Sequence, residues 1–182
     1  MSDFLRLLVH LDEDAIRATA ELRWPPATAV LLLVSAWWVK GPLLVAAGWG
    51  ADLRNRRLVP LVAGAATVSF ALASWLNAAI KAIVGRGRPP SEIGLHAVSS
   101  VPGSPSFPSG HAMSAFAVAG AIAVLSPRLR WPVLAVAALI GFSRVYLGVH
   151  FWLDVLAGAG LGMTIGVLIA MAGRRLFAGR LA

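Results

Sequence analysis

Residues 155–173 have the sequence VLAGAGLGMTIGVLIAMAG, which contains no Asp, Glu, Lys or Arg. A helix of about 20 such residues crosses a bilayer core of ~30 Å. Similar uncharged stretches cover residues 58–80, 110–127 and 131–143, and residues 25–51 carry a single charge, Lys40. The sequence therefore predicts five membrane-spanning helices, near residues 26–50, 58–84, 109–126, 131–148 and 151–173.

The composition of the whole chain agrees with a membrane protein. Of its 182 residues, 58% are hydrophobic and 13% are charged, and the mean hydropathy is +0.77. A soluble domain carries about 25% charged residues, so an ordinary soluble globule is excluded, and a disordered chain is excluded more firmly. The chain has no cysteine, which excludes a disulfide framework, a thiolate metal site and a cysteine nucleophile.

The N-terminal segment differs from the uncharged stretches. Its mostly apolar residues 4–11 are followed by the charged residues Asp12, Glu13, Asp14, Arg17, Glu21 and Arg23. This pattern predicts an amphipathic helix in the membrane interface, and the alternative is a sixth, shallow span. We therefore predict an all-α, multi-pass transmembrane helical bundle, with residues 1–24 as the interfacial helix and residues 25–182 as the membrane domain.

The arginines predict the orientation of this bundle. Cytoplasmic loops of membrane proteins are enriched in Lys and Arg, and alternating helices place eight arginines on one side: Arg54, Arg56, Arg57, Arg128, Arg130, Arg174, Arg175 and Arg180. The long loop 85–108 then faces outward. We expect a multi-pass protein of the plasma membrane, of the bacterial inner-membrane kind, whose net charge of +8 requires no nucleic-acid partner.

Three glycines recur every four residues in the last predicted helix, at Gly158, Gly162 and Gly166. Small residues at this spacing let two helix backbones approach closely in lipid. We expect the stripe to pack inside the bundle rather than to form a dimer seam.

Several cations collect on the predicted outer side. Lys81, Arg88 and Arg144 lie at outer helix ends, where such a cluster is costly unless an anion or water satisfies it. Arginine is suited to bidentate contact with phosphate oxygens. Ser109 is a predicted N-cap, and the free N–H groups of a helix start also favour an anion. These residues indicate a phosphate pocket.

Acid–base groups accompany the cations. His111 opens the predicted third span, and His150 and Asp154 lie four residues apart, so that they share one helix face. Histidine and carboxylate side chains supply general acid–base or nucleophilic catalysis. The combined pattern predicts an enzyme that acts on a phosphate group.

The arrangement of these residues resembles three linked signatures of one family. The first motif is Lys81, six residues and then Arg88-Pro89; the second motif is residues 108–111, Pro-Ser-Gly-His; and the third motif is residues 143–154, from Ser143-Arg144 to His150 and Asp154. Together they span about 40% of the chain. They resemble the type 2 phosphatidic acid phosphatase (PAP2) superfamily, in its integral-membrane lipid phosphatase branch, whose members usually have six spans.

The resemblance implies a metal-free phosphohydrolase that works through a phosphohistidine. His150 would be the nucleophile, and Asp154 would orient its imidazole. His111 would protonate the leaving oxygen and then activate water. The phosphate oxygens would be held by Lys81, Arg88, Ser109, Gly110 and Arg144. No cofactor and no metal are implied.

The substrate expected from this resemblance is a membrane lipid phosphate. A polyprenyl diphosphate of the undecaprenyl carrier type is our first expectation, because the chain is compact and the site faces outward. The alternative is a glycerophospholipid phosphatase acting on phosphatidylglycerol phosphate or phosphatidate. The residues do not distinguish monophosphate from diphosphate, and they leave the oligomeric state and the role of Lys40 open.

Other classes explain fewer of these residues. An intramembrane serine protease with a Gly-x-Ser-Gly pattern would need glycine at 107, where Phe107 stands. A metal site built from two histidines and one carboxylate would be opposed by three neighbouring cations. A lipid-binding or channel protein with a basic rim explains the cations but not the pairing of His150 with Asp154.

Overall fold

A computed structural model of the chain describes residues 3–36, 39–54 and 61–177, and the regular structure in these ranges is entirely helical. The helices are α1 (Asp3–Glu21), α2 (Pro25–Val34), α3 (Leu44–Arg54), α4 (Leu61–Val84), α5 (Pro89–Ile93), α6 (Gly110–Leu125), α7 (Arg130–Tyr146) and α8 (Trp152–Leu176). A π-helical turn (Val39–Leu43) precedes α3, and a 3-10 turn (Pro127–Leu129) precedes α7. The prediction of an all-α bundle is confirmed.

Three helical stretches are long and apolar enough to cross a membrane: Leu61–Ile93, Pro127–Tyr146 and Trp152–Leu176. The shorter apolar helices are α2 and α6. The expectation of one continuous helix near residues 26–50 is wrong, because α2 ends at Val34 and α3 begins at Leu44. Pro42 lies inside the intervening π-helical turn, where its missing N–H and its ring disturb regular α-helical hydrogen bonding. The side chain of Lys40 lies outside the described residues.

Helix α6 is the centre of the bundle. Nearly every residue from Ala112 to Leu125 is buried, and α6 packs against α4, α7 and α8. Many of these residues are alanine or glycine, which let the neighbouring helices approach closely. A helix surrounded by protein on all sides needs no polar face, and this explains why α6 is apolar all round.

The glycine stripe of α8 packs against α6, as predicted. A Cβ added at Gly162 would lie 2.1 Å from the carbonyl oxygen of Met113, and one added at Gly166 would lie 2.1 Å from that of Ala117. Only a glycine leaves room for such a backbone approach. The stripe therefore sets the distance between α6 and α8 inside the bundle.

Helix α1 is amphipathic, but its apolar stripe points away from the protein. Phe4, Leu7 and Leu11 are more than half exposed, whereas Asp12 and Ile16 are buried. The outward apolar stripe supports the expected interfacial position, although a domain boundary at residue 24 stays a prediction. Ile16 belongs to a core cluster with residues of α6, α7 and α8, so α1 packs onto the bundle.

The chain directions place the three motifs at one end of the bundle and the basic residues at the other. The site end is formed by the C-termini of α4 and α7 and the N-termini of α6 and α8. At the opposite end, Asp52 accepts hydrogen bonds from the N–H groups of Val62 and Ala63 and thereby holds α3 to the start of α4. Among the predicted cytoplasmic arginines, Arg54, Arg128, Arg130, Arg174 and Arg175 lie at this opposite end, and Arg56, Arg57 and Arg180 lie outside the described residues.

Candidate active site

The third motif places His150 directly before α8 and Asp154 in its first turn. The Oδ2 atom of Asp154 accepts a hydrogen bond of 3.0 Å from the N–H of Phe151, which fixes the carboxylate at the helix start. His150 is 2% exposed and Asp154 is fully buried. The Nδ1 atom of His150 lies 3.5 Å from Oδ2 of Asp154, so the imidazole and the carboxylate face each other, although His150 precedes α8 and does not share a helix face with Asp154 as the sequence predicts.

Ser106 lies between His150 and Asp154. Its Oγ is 2.5 Å from Oδ2 of Asp154, to which it donates, and 3.3 Å from Nδ1 of His150. A separation of 3.5 Å is long for a direct hydrogen bond, so the hydroxyl shortens the connection between the two side chains. Ser106 stands outside the three motifs, and sequence reasoning missed it; a serine in a serine- and proline-rich loop carries no distinguishing signal.

Arg88 contacts the other nitrogen of His150. Its Nη1 donates to the carbonyl oxygen of Val149 at 2.8 Å and lies 3.1 Å from Nε2 of His150. A guanidinium group has donors only, so Nε2 must be the acceptor and the imidazole proton must be on Nδ1. The contacts of this histidine therefore select the tautomer whose Nε2 lone pair points at the cation cluster.

The surroundings of His150 keep its imidazole neutral. Burial, with smaller contributions from the charges of Arg88 and Arg144, lowers the pKa of His150 to about 4, against the opposing effect of the Asp154 hydrogen bond and charge. An imidazole must be unprotonated to act as a nucleophile. His150 therefore meets the requirement at neutral pH.

The loop 85–108 supplies the partners of the first motif. Lys81 donates to the carbonyl oxygens of Pro105 and Ser106. Arg88 donates through Nε to the carbonyl oxygen of Ser104 at 2.8 Å. A surface pocket beside Arg88 is lined by Gly85, Arg86, Gly87, Arg88, Pro90, Ser91, Val101, Pro102, Gly103, Ser104 and Pro105. The loop thus orients two cations and leaves an opening beside one of them.

The second motif is tied to the third through the backbone. The N–H of Ser109 donates to the carbonyl oxygen of Asp154 at 2.9 Å. Ser109 occupies the N-cap position of α6 as predicted, but its hydroxyl makes no capping bond. Within the described residues this fully buried Oγ has no hydrogen-bond partner, which leaves it available to an incoming oxygen. Gly110 and the half-buried His111 form the first turn of α6.

Arg144 completes the cation cluster from the end of α7. It is 5% exposed, and its Nη1 donates to the hydroxyl of Ser35. Its Nε has no partner in the described part of the chain. A buried guanidinium with an unused donor is costly unless an acceptor arrives. Arg88 and Arg144 are thus close enough to act on the charge of His150, and Lys81 is close enough to act on Arg88 and Asp154.

Two further charged residues join the site without having been predicted as part of it. Arg86 donates to Oδ1 of Asp154 at 2.8 Å and to Oδ2 of Asp12 at 2.9 Å. From the sequence, Arg86 lies outside the three motifs and is expected at most as a helper at the rim of the site, and Asp12 is one of the charged residues of the amphipathic N-terminal segment. One signal could have found Asp12, since it lies four residues before Ile16 on the face of α1 that docks.

The geometry suits nucleophilic attack on a phosphate group. Arg88 and Arg144 lie near one neutral histidine whose Nε2 accepts from Arg88, and the Ser109 hydroxyl has no hydrogen-bond partner within the described residues; phosphoryl transfer depends chiefly on such positioning and charge stabilisation. In the described ranges, no group of three or more His, Cys, Asp and Glu side chains is arranged to hold a metal ion. The metal-site alternative therefore gains no support from the arrangement of the side chains.

The chain is similar in sequence to proteins of known family. The PAP2 superfamily profile matches residues 62–177. An undecaprenyl-diphosphatase of Sulfolobus acidocaldarius is 32% identical over 152 residues, which cover 81% of this chain and 62% of that protein. A decaprenylphosphoryl-5-phosphoribose phosphatase of Mycobacterium tuberculosis is 37% identical over 134 residues, which cover 73% of this chain and 72% of that protein. The chain thus spans less than two thirds of the length of the Sulfolobus relative.

The fold is also similar to that of a solved membrane enzyme. The crystal structure of a transmembrane PAP2-type phosphatidylglycerolphosphate phosphatase from Bacillus subtilis superposes with a TM-score of 0.77 at 29% sequence identity, over 93% of this chain and 88% of that one. The profile match covers well over half of the chain and contains all three motifs. The chain therefore belongs to the PAP2 superfamily.

Proposed function

We propose that this protein is a membrane lipid phosphate phosphohydrolase that works without a metal, through a phosphohistidine on His150. The observation that carries the proposal is the pair of contacts made by the two nitrogens of this imidazole. Nδ1 faces Ser106 and Asp154, and Nε2 accepts from Arg88. The proton is thereby held on one side of the ring and the lone pair is directed to the side where the cations lie.

In the proposed first step, Nε2 of His150 attacks phosphorus in line and the bond from phosphorus to the leaving oxygen breaks. The leaving oxygen takes a proton from His111. The imidazole becomes positively charged as the N–P bond forms, and the carboxylate of Asp154 stabilises that charge, directly and through Ser106. In the second step His111 removes a proton from water, whose oxygen attacks phosphorus and releases His150.

The cations would hold the phosphate oxygens during both steps. Nη1 of Arg88, which lies 3.1 Å from Nε2 of His150, would transfer its hydrogen bond to a phosphate oxygen as Nε2 turns to phosphorus. The Nε of Arg144 and the hydroxyl of Ser109, which have no hydrogen-bond partner within the described residues, offer two further donors. Lys81 and the N–H of Gly110 complete the proposed set.

A polyprenyl diphosphate is the substrate that we propose first. The Sulfolobus relative is named an undecaprenyl-diphosphatase, and the Mycobacterium relative is named for a decaprenylphosphoryl compound. The compounds in both names carry a polyprenyl chain. A glycerophospholipid phosphate is the second candidate, because the similar Bacillus crystal structure is of a phosphatidylglycerolphosphate phosphatase. We place the site on the extracytoplasmic side of the plasma membrane, since the described arginines of the loops gather at the opposite end of the bundle.

Phosphate release from purified protein in detergent tests the reaction. With EDTA present, the wild type should release phosphate from undecaprenyl diphosphate, phosphatidylglycerol phosphate or phosphatidate, and vanadate should inhibit it. His150→Ala should abolish release, whereas His96→Ala, which alters an exposed loop histidine, should retain it. Full activity of His150→Ala would remove the nucleophile. Strict dependence on an added divalent metal would favour a metal site, and binding of these lipids without turnover would favour a lipid-binding protein.

The absence of native cysteine makes the orientation testable by labelling. Ser100→Cys in the exposed loop should react with a membrane-impermeant maleimide in intact cells. Arg174→Cys, at the exposed opposite end of α8, should react only after permeabilisation. The reverse pattern would place the site on the cytoplasmic side.

A further inference from the structure

We propose that Asp12 and Arg86 are positioning residues, through which the N-terminal helix α1 holds the Asp154 carboxylate in place for His150. The inference rests on the proposed function. It assigns a role in the reaction to α1, which neither the three motifs nor the profile match at residues 62–177 includes.

The geometry forms a continuous chain of contacts from α1 to the imidazole. Nη2 of Arg86 lies 2.9 Å from Oδ2 of Asp12, and its Nη1 lies 2.8 Å from Oδ1 of Asp154. The other oxygen of Asp154 faces His150 at 3.5 Å. One guanidinium therefore joins two carboxylates, and the second of them is the group that orients the nucleophile.

Asp12 also holds the start of α8. Its Oδ1 accepts a hydrogen bond of 3.0 Å from the N–H of Leu153, one residue before Asp154. The two oxygens of Asp12 thus secure both the backbone beside Asp154 and the guanidinium bound to its side chain. Such double attachment limits the rotation of Asp154 and keeps Oδ2 directed at the imidazole.

Burial makes the loss of any one partner in these ion pairs costly. The Asp12 side chain is 1% exposed, the Asp154 side chain is fully buried, and that of Arg86 is 22% exposed. Charges removed from water are costly unless they are paired and hydrogen-bonded. The guanidinium also lies over the ring of Phe151, 4.1 Å from its centroid, which fixes its plane. Loss of Arg86 would leave two buried carboxylates without their shared counter-charge.

The outward apolar stripe of α1 gives this helix a second attachment, to the membrane. Phe4, Leu7 and Leu11 are exposed on a face of α1 other than the one that carries the buried Asp12, and an interfacial helix contacts lipid through such a face. Membrane contact there would hold Asp12 against Arg86.

The test compares steady-state kinetics of single variants in detergent. Asp12→Asn keeps an oxygen for the N–H of Leu153 but removes the charge that pairs with Arg86. We expect kcat to fall by about 10- to 100-fold, the range observed when partners that orient a metal-bound histidine are removed, with KM changed less than threefold. Asp14→Asn alters an exposed carboxylate on the same helix and should leave kcat unchanged.

A double-mutant cycle separates positioning from simple structural support. If Asp12 acts through Asp154, then adding Asp12→Asn to Asp154→Asn should lower the residual kcat by less than twofold, because coupled residues are not additive. Arg86→Lys should recover part of the activity lost in Arg86→Gln, since lysine restores the charge without the forked geometry.

The outcomes also separate this inference from the proposed function. A wild type that releases no phosphate would refute the phosphatase itself. An active wild type with unchanged kcat in Asp12→Asn would refute only the positioning role. Independent, multiplicative losses in the double variant, together with a lowered melting temperature, would assign the contacts to stability alone.

Discussion

The close packing of α6 against α8 leads to a quantitative prediction for Gly162→Ala. The added Cβ would lie 2.1 Å from the carbonyl oxygen of Met113 and 3.0 Å from the backbone nitrogen of Ala117. Both obstacles are backbone atoms, so no side-chain rotation can relieve the overlap and the two helices must separate by about 1 Å. Overpacking of this kind costs about 1–3 kcal/mol of stability. Because the obstacles are rigid backbone atoms, we expect a cost near the upper end of that range.

The same separation should weaken the proposed reaction. The N–H of Ser109 at the start of α6 donates to the carbonyl oxygen of Asp154 at the start of α8, so this seam aligns the second motif with the third. A loss of about 2–3 kcal/mol corresponds to a decrease in melting temperature of roughly 5–10 °C for a chain of this size. Phosphate release at a temperature below the transition should fall in the folded variant as well.

Thermal unfolding in detergent and initial rates of phosphate release measure the two effects. Gly160→Ala is the matched control, because a Cβ at Gly160 meets nothing within 4 Å; alanine there should be neutral or raise stability by up to ~1 kcal/mol through helix propensity. Equal melting temperatures and rates for the Gly162→Ala and Gly160→Ala variants would refute the argument that the backbone approach sets the helix separation.

Two more predictions concern His150 and the Ser106 hydroxyl beside it. Because burial lowers the pKa of His150 from 6.5 to about 4, 15N NMR of the imidazole should find it neutral, with its proton on Nδ1, at pH 5.5; a titration midpoint near 6.5 would contradict this. The same shift makes the free energy of unfolding depend on pH. Between pH 6.5 and about 4 the unfolded chain binds a proton at His150 and the folded chain does not. The stability contributed by the neutral imidazole is therefore fully present above pH 6.5 and is lost as the pH falls to about 4. Ser106→Ala removes the hydroxyl between His150 and Asp154 and should lower kcat about tenfold, in the range measured for orienting partners, whereas Ser100→Ala in the exposed part of the same loop should match the wild type; equal kcat values for both variants would remove Ser106 from the connection.

Sequence reasoning predicted the contact between His150 and Asp154 because their spacing is local. The two residues lie four positions apart, but His150 precedes α8 and only Asp154 lies on that helix; the second motif stands at the start of α6. Alternation of helices across a membrane then brought the cations to the same end. The roles of His111 and of the phosphate-holding residues stay predictions.

Ser106 and Asp12 were not predictable in this way. Ser106 reaches the site through a loop whose path depends on packing, and a single serine there has no motif context. The spacing of Asp12 from Ile16 indicates that both lie on one face of α1, but it does not identify Arg86 as the partner of Asp12. The contact of Asp12 with Arg86 spans 74 positions in the chain, a distance that no local pattern describes.

By itself, the sequence determined that this chain is a helical membrane protein of basic, cysteine-free composition with the three phosphatase motifs at one end of the bundle. The helical membrane character follows from transfer of apolar helices into lipid, and the phosphatase assignment of the motifs follows from their resemblance to the PAP2 superfamily. Only the tertiary structure decided that the first apolar stretch is divided into α2 and α3, that Arg88 faces Nε2 of His150, and that α1 reaches Asp154 through Arg86. Those contacts depend on how separate segments pack against one another, and the hydrogen bonds and ion pairs that form there are selected by burial and not by position in the chain.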